Sequence, residues 1–219
     1  MKTNLNILKI AAFCALLTGC LSKHEQPVSS ASPEANSEVT ITEMEPDDQF
    51  YKAIKAMIKG ENVQSAGYIR EAAKSMRVIE VSAGQEHKLR IENAAVALEA
   101  LANKVAHTQV KDIANLYTYF GKAARALAEY RLDVTEKEYF SHTEAKSGAS
   151  LKRAIDQLEK SISSRHRTLN QEEKATLNDA LEIAAQLQRG DKVDEDDLKS
   201  TLQRVDDEIE KWDKEFKTM

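Results

Sequence analysis

LKSTLQRVDDEIEKWDKEF, residues 198–216, places Leu198, Leu202, Val205, Ile209, Trp212 and Phe216 at alternating steps of four and three. An α-helix turns once in 3.6 residues, so side chains at this spacing share one face. The stretch therefore reads as an amphipathic helix with a single apolar seam of the kind that packs in coiled coils. Upstream the same period recurs. Leu177, Leu181, Ala184 and Leu187 form a stripe stopped by Gly190, and Leu151, Ile155, Leu158 and Ile162 form another, whose helix is expected to begin as far back as Glu136. Further upstream come Ile113, Leu116, Tyr117, Phe120, Ala124, Leu127 and Tyr130, and before them Ile91, Ala94, Ala95, Leu98, Leu101 and Val105. Ile69, Ala72, Ala73, Met76 and Ile79 precede Gly84, and Phe50, Ile54, Met57 and Ile58 precede Gly60.

Start signals accompany the stripes. Thr135-Glu136-Lys137-Glu138, Asn170-Gln171-Glu172-Glu173 and Asp194-Glu195-Asp196-Asp197 each put a capping oxygen three residues before an acid, the capping-box spacing. Pro46 suits a first helical position, with Asp47 and Asp48 opposing the positive end of the helix dipole. Proline breaks helix interiors, and all three prolines, Pro27, Pro33 and Pro46, lie before residue 47. Short connections favour antiparallel neighbours, so the expected fold is all-α, an antiparallel bundle of about six to seven helices over residues 47–219. Gly148 is expected to kink or break its helix. A helix-pair solenoid is suggested by a glycine and an acid between two stripes at Ile54 to Ala72 and again at Ala184 to Leu202. No fixed short period and no tetratricopeptide consensus supports it, so a bundle is preferred.

The composition is that of long solvated helices: 31% charged, 5% aromatic, few glycines. Both cysteines, Cys14 and Cys20, fall in the first 20 residues, so the body has no thiol for a disulfide, a redox pair or a zinc site.

Residues 1–19 read as a secretory leader: Lys2 and Lys9, an apolar run from Ile10 to Leu17 too short to span a bilayer, then Leu17-Thr18-Gly19-Cys20. This last motif resembles the lipobox of bacterial lipoproteins. The resemblance is confined to the leader; it implies cleavage between Gly19 and Cys20 and attachment of diacylglyceryl to the Cys20 thiol, with palmitate-like acyl chains holding the protein on a membrane. Several chains anchor stably at ~0.8 kcal/mol per buried CH₂. Leu21 in place of Asp implies, by the same resemblance, sorting to the outer membrane on its periplasmic face. Loss of Lys2 and Lys9 takes the 31 basic residues to 29 against 36 acidic ones, a balance of −7 that argues against a nucleic-acid partner.

Residues 20–46 turn to Ser, Pro, Glu, Ala and Asn with no apolar stripe and read as a disordered tether, about 28 Å long on average. Val39-Thr40-Ile41 alternates like a strand but has no evident partner.

The body shows no sequence-local catalytic constellation. There is no Gly-x-Ser-x-Gly, no phosphate-binding glycine loop and no cysteine nucleophile. His24, His87, His107, His142 and His166 make none of the usual metal pairs; Glu138 with His142, joined by His166, is the one conceivable metal group, and a solvated pair is the simpler reading. The acids Asp191, Asp194, Glu195, Asp196 and Asp197 read as a helix start rather than a calcium loop. Trp212 reads as core, and Tyr117, Tyr119, Phe120, Tyr130, Tyr139 and Phe140 as core and core rim that could line a pocket. The expected role is a lipid-anchored, non-catalytic interaction or scaffold module without cofactor or metal, acting on a protein partner or a second copy. The alternatives are a small-ligand or metal-binding bundle and, further off, an all-helical hydrolase.

Overall fold

The computed structural model describes residues 46–218, which form seven α-helices. They are α1 (Pro46–Ile58), α2 (Asn62–Ser82), α3 (Gln85–Ala106), α4 (Ile113–Phe140), α5 (Glu144–Ser163), α6 (Gln171–Gln188) and α7 (Glu195–Thr218). Gly19, Cys20, the tether and Val39-Thr40-Ile41 lie outside the described residues.

Helix ends follow local chemistry. Pro46 opens α1 with Asp47 and Asp48 in its first turn. Asn170 and Glu173 form the expected reciprocal capping box at α6, and Asp194 Oδ1 accepts the Asp196 N–H at 2.9 Å at the start of α7. Gly60 and Gly190 adopt φ of +75° and +73°, closing α1 and α6 with backbone bonds that span five residues, Glu61 N–H to Ala56 O and Asp191 N–H to Gln186 O.

Two expectations are corrected. Thr135 is not a cap: it lies inside α4, buried, and its hydroxyl donates to Arg131 O at 2.7 Å, so α4 runs on to Phe140 and the turn comes at residues 141–143. The stripes on either side let one helix continue, and the chain reverses only where His142 takes φ +54°. Gly148 breaks nothing either. It sits within α5, where an added Cβ would come 2.5 Å from Ala184 O and 2.8 Å from Gln188 N, so the missing side chain lets α5 and α6 approach closely.

Successive helices are antiparallel, as cross-helix pairs reveal. Arg70 reaches Asn103 and Arg77 reaches Glu99 across α2 and α3, and Arg204 reaches Asp179 while Trp212 reaches Glu173 across α7 and α6. Burial divides into two apolar cores. One runs from Phe50 to Leu127 through Ile69, Met76, Ile91 and Leu98; the other runs from Ala128 to Trp212 through Leu151, Leu158, Leu177 and Ile209. Helix α4 serves both.

This division reflects a structural repeat of 82 residues. Ser65 Oγ donates to Ala53 O and Ser147 Oγ to Thr135 O, both at 2.8 Å. The left-handed turns at Gly60 and Thr108 recur at His142 and Gly190, and the caps Asp112 and Asp194 each accept the N–H two residues on at 2.9 Å. Each pair is 82 positions apart. The first part of α4 thus corresponds to α7 and its last part to α1. Buried Ile69, Ala72, Ala102 and Leu116 match Leu151, Ala154, Ala184 and Leu198. The period is long and few identities mark it, which is why no short repeat is visible in the sequence.

Candidate functional site

A cleft of about 630 Å³ lies where the start of α1, the first half of α4 and the end of α5 meet. The stripe of α1 brings in Phe50 and Ile54, and α4 contributes Tyr117, Phe120, Gly121 and Ala124. Phe50 and Phe120 stack with ring centroids 4.3 Å apart and an interplanar angle of 15°. Tyr117 meets His166 edge-on at 6.3 Å, and His166 is carried on a left-handed turn after α5 with φ +56°. Gly121 admits the end of α5: an added Cβ would stand 3.2 Å from Ser161 O. On the rim, Lys160 pairs with Asp47, while Asp48 has neither hydrogen bond nor ion pair among the described residues.

A second groove, about 400 Å³, lies between the last half of α4, α7 and the start of α3. Its helix pair is the repeat equivalent of the pair flanking the first cleft: Glu129, Leu132, Asp133 and Glu136 stand where Asp47, Phe50, Tyr51 and Ile54 stand, and Lys199 and Leu202 replace Tyr117 and Phe120. The lining here is acidic. Burial pushes the Glu129 carboxyl above the usual range despite its pairing with Arg90, and nearby Asp213 adds to the rise. Asp206, exposed as a residue, is raised by desolvation of its carboxylate and then by Glu210 and Asp207. His87 Nε2 lies 4.0 Å from Asp133.

Compared with known proteins, the chain matches no family model, no curated protein and no solved structure.

The residues singled out in the sequence fall as follows. Glu138 accepts from Ser150 Oγ at 2.6 Å near the end of α4, and His142 follows in the next turn. His166 instead packs on Tyr117, 21 residues earlier on the same helix, or about 30 Å along its axis. The structure does not bring these three together, and among the described residues no group of three or more His, Cys, Asp or Glu is arranged for a metal ion. Asp194 caps α7, and Glu195, Asp196 and Asp197 fill its first turn. Trp212 is buried and its indole N–H donates to Glu173 at 3.0 Å. Tyr139 donates to Val193 O at 2.9 Å, Phe140 is half-exposed beneath Lys199, and Tyr119 and Tyr130 border the first core. Only Tyr117 and Phe120 of the central aromatics reach the cleft. The Phe50–Phe120 stack and the Lys160–Asp47 pair join residues 70 and 113 positions apart, a separation with no local signal.

Proposed function

We propose that the chain is a lipid-anchored module of the bacterial envelope, tethered through Cys20 on the periplasmic face of the outer membrane, which acts without catalysis by docking a protein partner. The anchor rests on Leu17-Thr18-Gly19-Cys20. The observation that carries the docking role is the exposure of large apolar side chains on α2 and α3, where Val78, Val81, Leu89 and Val96 are 46%, 85%, 62% and 48% exposed. Exposed large apolar side chains on adjacent helices favour association, because covering them removes apolar area from water. Crosslinking in intact cells is expected to capture a stoichiometric partner, and Val81→Glu with Leu89→Glu to lose it. A body that stays monomeric and partnerless in both forms would refute docking. For the anchor, Cys20→Ser is expected to release the protein from envelope fragments; retention after normal processing would remove that assignment.

A second reading, a small-ligand binder, is favoured by the cleft between α1, α4 and α5. Its volume suits a small organic molecule, and its aromatic walls meet charged groups at the rim.

A further inference from the structure

We propose that this cleft is a binding site for a small organic ammonium ion, a primary or quaternary amine carried on an apolar body. The proposal deepens the second reading above and rests on it.

Three observations converge. Aromatic rings attract cations through the negative charge of their faces, and Phe50, Tyr51, Tyr117 and Phe120 all line the cleft. The side-chain charges at the rim are unbalanced toward the negative: Asp47 is engaged by Lys160, and Asp48, at the positive end of α1, has no ion-pair partner among the described residues. An anionic ligand would face Asp48 with Lys160 already occupied.

The third observation is the repeat. Packing between the first and last helices of a unit does not require rings, since the equivalents of Phe50, Tyr51, Tyr117 and Phe120 in the second unit are Leu132, Asp133, Lys199 and Leu202. Helices α4 and α7 still pack against each other. Aromatic side chains at four equivalent places in one unit only are thus a property of the cleft and not of the architecture.

Calorimetric titration of the full chain with phenethylammonium, its neutral counterpart 2-phenylethanol and the anion 3-phenylpropionate tests the assignment. Phenethylammonium is expected to bind about tenfold more tightly than the alcohol, with the anion weakest. Asp48→Asn, a change at an exposed first-turn position, is expected to bring the ammonium down to the alcohol's affinity and leave the alcohol unchanged. Equal binding of ammonium and alcohol, or an affinity untouched by Asp48→Asn, overturns the charge preference while the cleft stands as a ligand site. No binding of any of the three overturns both.

Discussion

Three sets of donors converge on the Glu173 carboxylate: the Arg167 guanidinium at 2.6 and 3.0 Å, the Asn170 N–H at 2.8 Å and the Trp212 indole at 3.0 Å. Burial acts to raise this acid's pKa, yet the hydrogen bonds, with Arg167 foremost, outweigh it and hold the group down at about 2. A carboxylate depressed on folding contributes stability that is full above its unfolded value near 4.5 and is lost as pH falls toward 2. Acid titration of the unfolding free energy should therefore show a loss of about 3 kcal/mol across that window. Glu173→Gln should be less stable than the parent at pH 7 by about 1 to 3 kcal/mol, since Arg167 loses its charged partner there and keeps, among the described residues, only Glu215 at 3.1 Å. It should also lack that acid limb; a variant that keeps both stability and limb would contradict this account. A gain is available at Thr108 and His142, which hold φ of +56° and +54°. L-residues are disfavoured there, so Thr108→Gly and His142→Gly should each raise the unfolding free energy obtained from urea titration by about 1 kcal/mol.

Helix packing gives glycine opposite values at different positions. Gly67, within α2, has nothing within 4 Å of an added Cβ, so Gly67→Ala should stabilise by about 0.5 to 1 kcal/mol through helix propensity and a less free unfolded chain. Gly148 is pressed against the backbone of α6 at Ala184 and Gln188. There Gly148→Ala must push α5 and α6 apart, and overpacking of about 1 to 3 kcal/mol outweighs the propensity gain. Thermal melts of the two variants should move in opposite directions, and a shared direction would mean that α5 and α6 are not in backbone contact.

Two apolar cores joined by one helix make the whole molecule a candidate for unfolding in two steps. The single tryptophan, Trp212, is buried in the second core, so its fluorescence reports that half while far-ultraviolet circular dichroism reports all helices. Leu98→Ala empties a fully buried place in the first core and should cost about 2 to 5 kcal/mol there. The dichroism transition should then precede the fluorescence transition in urea; coincident curves would show the cores to be one cooperative unit. The acidic groove adds a pH dependence of opposite sign to that of Glu173. Glu129 and Asp206 are raised on folding, so their contribution is full below the unfolded carboxylate range and is lost as pH rises. Asp206→Asn should accordingly be more stable than the parent at pH 7 and no more stable at pH 3, a comparison that two urea titrations settle.

The local chemistry of this chain was enough to determine most of its elements. The steps of three and four from Leu198 to Trp212, the Asn170–Glu173 box and the glycines Gly60 and Gly190 all express forces acting within a few residues, and each holds in the folded chain. Where a cap competed with an uninterrupted apolar stripe, at Thr135, local reading misplaced the turn, because burial of the helix on both sides favoured continuation. Only the tertiary structure decided the rest: the pairing of Phe50 with Phe120, the meeting of Asp47 with Lys160, the role of Gly148 as a contact point and the 82-residue repeat. These depend on which helix faces which across tens of residues, and apolar burial specifies that a face is covered without specifying by what.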